Sequence, residues 1–166
     1  MTDWSFILPI VLLAMVVALF FSQRVRETFP YKARNFLLTD AEFAFYQVLE
    51  KSIGEGQMIA PKVRLGDVIE CSDKDWARGF GPKISSKHLD FVIFEHATSR
   101  VLLGVELDDS SHTHPDRIAR DKFVNQALAA AGVPLLRVQV ARSYSGGDLK
   151  KDISEMIETY ERQRRD

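Results

Sequence analysis

The stretch from His88 to Asp108 constrains this chain more than any other. Two runs, His88–Glu95 and Arg100–Asp108, are apolar at successive positions: Phe91, Val92, Ile93 and Phe94 in the first, Val101, Leu102, Leu103 and Val105 in the second. Successive strand residues point to opposite faces, so a run apolar on both faces belongs inside a covered sheet. The gap around Ala97-Thr98-Ser99 is too short for a crossover, so the two strands form an antiparallel hairpin.

The remaining pattern makes the fold class α/β. Thr39-Asp40-Ala41-Glu42 reads as a capping box opening a helix that runs to about Ile53 and stops at Gly54. Met58–Leu65 reads as a strand, and Gly66–Lys87 as an irregular, Gly-rich loop. Thr113 to Asp116 is a second capping box, with Pro115 in the first turn of a helix that Gly132 ends. Val133–Val140 is a fourth strand, and Asp148 to about Arg162 a last helix with Leu149, Ile153, Met156, Ile157 and Tyr160 along its apolar stripe. The expected order is α-β-β-β-α-β-α around a mixed sheet. The charge run Arg162-Gln163-Arg164-Arg165 reads as a solvated end.

Ahead of this domain, every residue from Phe6 to Phe21 is apolar or Pro9, and with Trp4 and Ser5 the run reaches the roughly 18 residues expected of a spanning helix. It lacks the basic leading region and small-residue cleavage site of a signal peptide. Arg24, Arg26, Lys32 and Arg34 follow the run and only Asp3 precedes it, so the positive-inside rule places the C-terminal domain in the cytoplasm. The expected organisation is a single-pass anchor over residues 1–22, with residues 4–21 in the lipid bilayer, a connector over 23–38 and an α/β domain over 39–166. Cys71 is the only cysteine, so no internal disulfide forms and nothing points to an oxidising compartment. With 22 Lys+Arg against 23 Asp+Glu there is no basic field of the kind that binds nucleic acid by charge alone. A nucleic-acid partner would need a local patch and a metal.

The hairpin register carries the chemical content. With His96 opposite Arg100, Asp90 falls across from Glu106, and Asp108 falls beside His88 on the same face. Opposed carboxylates repel, so two acids at the ends of apolar strands suggest a divalent cation between them. A plain structural alternative is neutralisation of the pair by Arg137 or Lys87.

His88-Leu89-Asp90-Phe91-Val92, then Val105-Glu106-Leu107-Asp108-Asp109-Ser110-Ser111-His112, then Arg120-Asp121 with Leu128, Gly132 and Leu135-Leu136-Arg137, resembles the PD-(D/E)XK restriction-endonuclease-like superfamily. The likeness covers roughly Thr39 to Val140. It is nearest the very-short-patch-repair endonuclease branch, and nearer still to an uncharacterised bacterial group, domain of unknown function DUF2726, which points to the bacterial inner membrane. The resemblance implies a restriction-endonuclease-like α-β-β-β-α-β core and a nuclease that hydrolyses phosphodiester bonds of DNA or RNA with Mg²⁺ or Mn²⁺. Asp90 and Glu106 would be the metal-binding acids, assisted by Asp108, and His112 a general acid or base. Position 108 is aspartate where the superfamily has a lysine that polarises the attacking water. A catalytically inactive module that binds nucleic acid or a protein at the membrane is the alternative.

Several residues keep two readings. Glu42 fits the capping box, yet lies in line with Tyr46, Leu49 and Ile53 on the core face and resembles a first-helix glutamate supporting the metal site. Asp121 is either site support or the i,i+4 partner of Arg117, and Arg137 either a phosphate clamp or a structural countercharge. His112 and His114 also suit a polar loop, and Asp109 a loop hydrogen bond. Trp76 and Phe80, among Lys74, Arg78, Lys83 and Lys87, form either an aromatic-basic patch for nucleic acid or a loop folded back on the domain.

Overall fold

In the computed structural model, residues 7–22, 29–109 and 115–165 are described. The chain divides into two compact units, Met1–Asn35 and Phe36–Asp166. The first contains helix α1 (Ile7–Ser22), which carries no charged residue in its end turns. Its 16 residues span about 24 Å at 1.5 Å per residue, short of a bilayer core of about 30 Å. Among the described residues no helix is long and apolar enough to cross a membrane. The expected spanning helix over residues 4–21 is therefore not supported as a whole. Its flanks, residues 1–6 and 23–28, lie outside the described residues.

The second unit is an α/β domain. It runs α2 (Asp40–Ser52), β1 (Gln57–Arg64), a 3-10 turn (Leu65–Asp67), α3 (Asp73–Ala77), α4 (Phe80–Ser85), β2 (His88–Glu95), β3 (Val101–Asp108), α5 (Pro115–Ala130), β4 (Leu135–Gln139) and α6 (Gly146–Gln163). The sheet order is β1-β2-β3-β4, with β1–β2 and β2–β3 antiparallel and β3–β4 parallel. The expected mixed sheet and C-terminal helix are present.

Helices α2, α5 and α6 begin or end close to the signals in their sequence. At α2 the capping box is complete: the Glu42 amide donates to Thr39 Oγ1 at 3.4 Å and the Thr39 amide to Glu42 Oε2 at 2.9 Å. Gly132, just past α5, takes φ +70, the left-handed cap that glycine adopts without penalty. Ser145 caps α6, its hydroxyl accepting from the Asp148 amide at 3.3 Å. The second expected capping box, Thr113 to Asp116, falls largely outside the described residues.

The core has two parts. Phe45 and Leu49 of α2 and Leu149, Ile153 and Ile157 of α6 pack against Phe91, Ile93, Leu103, Val105 and Leu107. Val92 belongs to the second part, with Leu89, Leu65, Ile84 of α4, and Val124 and Leu128 of α5. Each such buried side chain contributes roughly 2 kcal/mol, so the faces that α2, α5 and α6 cover fix their seats.

Residues 66–87 depart from expectation. Instead of an irregular loop they hold α3 and α4, two helices of five and six residues. Ser72 caps α3 by accepting from the Asp75 amide at 3.2 Å, and Gly79 at φ +93 turns the chain into α4.

Candidate functional site

The site grows from a fork in the sheet. Pairing of β2 with β3 ends at Phe91 opposite Val105, while β2 continues to His88 beside β1 and β3 continues to Asp108 beside β4. Asp90 stands where the strands part. Its Oδ2 accepts from the Leu107 amide at 2.9 Å, so the side chain takes over a main-chain donor that β2 no longer reaches. Glu106, the neighbour of Leu107 on β3, is only 5% exposed.

The expected register holds at Phe91, Val92 and Ile93, which places Asp90 level with Glu106. Toward the loop it does not hold. A bulge between Ile93 and Phe94 shifts the pairing by one, so the Glu95 amide bonds to the Arg100 carbonyl at 2.8 Å. His96 therefore does not face Arg100; its amide goes to the Gly56 carbonyl at 2.8 Å. Because the ladder stops at Phe91, Asp108 is not set beside His88. Asp108 Oδ1 accepts from Arg137 Nη1 at 2.6 Å, and Arg120 holds the His88 carbonyl at 3.2 Å.

Asp90, Glu106, Asp108, Asp109, Asp121 and Glu42 line one cavity of about 370 Å³, together with Arg117 and Arg120 from the start of α5. Within it Glu106 is an unusual group. Burial, and then the Asp90 charge, push its carboxyl up to about 7 against the pull of Arg120 and Arg137. Its Oε1 is buried without a hydrogen-bond partner among the described residues. Such an oxygen is costly to leave unsatisfied; Arg137 Nη2, on the β4 residue paired with Glu106, is likewise buried without a hydrogen-bond partner among the described residues.

The countercharge on Asp90 is one that sequence reasoning missed. Neither Arg137 nor Lys87 supplies it. Lys62 Nζ lies 3.4 Å from Asp90 Oδ1 and bonds more closely to Glu42 Oε1. Glu42 thus completes the capping box with one oxygen and binds Lys62 with the other. Burial works against charge on both partners, but it is outweighed by their mutual bond together with the Thr39 hydrogen bonds to Glu42, which lower the Glu42 pKa, and the Asp90 charge, which helps raise that of Lys62. The Lys62 backbone is left-handed, at φ +55, between Pro61 opposite Phe91 and Val63 opposite Leu89. A lysine in that region costs roughly 1 kcal/mol and persists where its surroundings demand it.

Arg137 acts as a carboxylate clamp. Besides Asp108 it reaches Asp121 at 3.6 Å, and its Nε donates to Asn125 Oδ1 at 3.0 Å. The proposed nucleic-acid residues stand apart from this cavity. Trp76 lies against Gly81, Arg78 pairs with Asp75 at 3.0 Å, and Lys87 sits 4.8 Å over the Phe123 ring. The loop thus folds partly on itself, although Trp76 remains about half exposed, at 49%. His112 and His114 lie outside the described residues.

The donor set suits a hard cation. Among the described residues no group of three His, Cys, Asp or Glu stands together to hold a metal. Mg²⁺ and Mn²⁺ do not need one: Mg²⁺ characteristically takes one or two carboxylates and fills its sphere with water and substrate oxygens. Asp90 and Glu106, with the unshared Glu106 oxygen, fit that pattern.

Fold and site together define an α/β domain with a carboxylate cavity at a sheet fork. A family model described as a protein of unknown function, DUF2726, matches residues 34–157, and the chain belongs to that family. No curated protein and no solved structure matches the chain.

Proposed function

We propose that this chain is a divalent-metal-dependent nuclease of the restriction-endonuclease-like PD-(D/E)XK class, hydrolysing phosphodiester bonds of DNA or RNA. The buried, unpartnered Glu106 oxygen beside Asp90 carries this reading. Asp90 and Glu106 would hold Mg²⁺ or Mn²⁺, which supplies an activated water and countercharge to the phosphoryl group. Arg117 and Arg120 bring guanidinium groups to the same cavity, where they neutralise and orient an incoming phosphate. Asp108, in the place of the superfamily lysine and tied to Arg137, shapes the cavity wall. His112 is the proposed proton carrier.

The test is a screen of the full-length protein against single- and double-stranded DNA and RNA with Mg²⁺ and Mn²⁺. Cleavage is expected to vanish in Asp90→Ala and Glu106→Ala, and to fall by about 100-fold or more in His112→Ala. Full activity in Asp90→Ala would remove this site from the mechanism.

One observation favours a second reading. The Asp108 carboxylate is occupied by Arg137, so the position that carries the superfamily lysine offers no cation to a water. A nuclease-fold module that binds nucleic acid or a protein without cutting would leave metal binding intact and show no cleavage under any condition.

We further propose that the apolar segment around α1 anchors the chain in the cytoplasmic membrane with the α/β domain on the cytoplasmic side. Its support is the uncharged run from Phe6 to Phe21 and the basic residues that follow it. The protein should stay with membranes after salt and alkaline washing; release by salt alone would contradict the anchor.

A further inference from the structure

We infer that Lys62 is a built-in counter-ion of the carboxylate cavity, one that a divalent cation must push off Asp90 and onto Glu42. This rests on the metal-binding reading above and adds how the site is held and guarded before metal arrives.

The register of β1 against β2 sets Lys62 level with Asp90, yet the pleat is broken there by left-handed backbone. Such backbone at a lysine is disfavoured, and here it accompanies a side chain that bridges two carboxylates. Both acceptors, Glu42 and Asp90, line the cavity, whereas Lys62 does not.

Bonds connect four elements in sequence: the Thr39 amide to Glu42 Oε2, Lys62 to Glu42 Oε1, Lys62 to Asp90 Oδ1, and the Leu107 amide to Asp90 Oδ2. Both oxygens of Asp90 are thereby engaged. The weakest link is the 3.4 Å contact between Lys62 and Asp90 Oδ1. Of the two Asp90 oxygens, Oδ1 is the one a cation can take without disturbing the bond from the Leu107 amide. Lys62 can yield it without losing a charged partner, because Glu42 already holds the ammonium more closely. A unit positive charge left beside an incoming divalent ion also weakens its binding. Lys62 thus stabilises the metal-free cavity and sets a threshold for metal.

The experiment is calorimetric titration of Mn²⁺ into the full-length, EDTA-stripped protein. Wild type is compared with Lys62→Asn, which is neutral and tolerates left-handed backbone, with Lys62→Met as a second neutral variant, and with Lys62→Arg, which keeps the charge. The neutral variants are expected to bind Mn²⁺ about tenfold more tightly than wild type while melting at a lower temperature without metal. Lys62→Arg should stay within about twofold of wild type, because charge and not shape sets the threshold. Unchanged or weaker binding in folded Lys62→Asn or Lys62→Met overturns the inference and leaves the metal site standing. Absence of Mn²⁺ binding in wild type and every variant overturns both.

Discussion

Glu106 is the residue on which the chemistry turns. An acid that is 5% exposed, beside a second acid and with one oxygen unpaired, is held at a cost to the fold. Its carboxyl rises from 4.5 to about 7, so the folded state prefers it protonated. The stabilising contribution is complete below about pH 4.5, where both folded and unfolded chains carry the proton. It drains away as pH climbs toward 7, and above that the folded domain bears the full penalty of a buried charge, about 3 kcal/mol. Glu106→Gln should therefore flatten metal-free stability between pH 4.5 and 7 and make the domain more stable than wild type at pH 8. Denaturant midpoints across that range check it, and identical pH slopes for the two proteins would contradict it. Asp90 is expected to behave differently, because it is tied to Lys62 and to the Leu107 amide. In the metal-free protein Asp90→Asn removes an ion pair as well as a repulsion, so it brings no comparable gain.

At the scale of elements, the site depends on α2 as much as on the strands. Glu42 joins the cap of α2 to Lys62 of β1, so the cap is part of the site's support. Thr39→Ala should cost about 1 kcal/mol of stability, read from denaturant unfolding, as loss of an N-cap does, and unchanged stability would show that the cap contributes nothing to the site's support. The strands flanking the fork were legible because apolar pattern and a short loop fix a hairpin. The register next to Asp90, at Phe91, Val92 and Ile93, came out as expected even though the loop pairing is shifted by one, because the bulge after Ile93 absorbs the difference. Lys62 was not legible for a physical reason. The connection from β1 to β2 is no tight turn but two dozen residues with two short helices, so nothing local sets which residue of β1 meets Asp90. Its left-handed backbone is carried by lysine, without the glycine that would have signalled it. The helices α3 and α4 were hidden in the same way, since five or six residues are too few for a period to show. The Ser72-Asp73-Lys74-Asp75 cap was the one readable sign.

Across the whole molecule, the near-balance of charge agrees with a site whose acids and bases answer one another. Glu42 and Asp90 share Lys62, and Asp108 and Asp121 share Arg137, while one Glu106 oxygen has no hydrogen-bond partner among the described residues. On the proposed metal-binding reading, an ion that binds only the folded protein offsets the penalty of the buried acid by mass action. The melting temperature of the full-length protein at pH 8, with EDTA and with excess Mn²⁺, measures this directly. Mn²⁺ is expected to raise it in wild type, while Glu106→Gln starts higher in EDTA and does not respond to the ion. A wild type indifferent to Mn²⁺, beside a Glu106→Gln variant that melts lower in EDTA, would contradict the metal site.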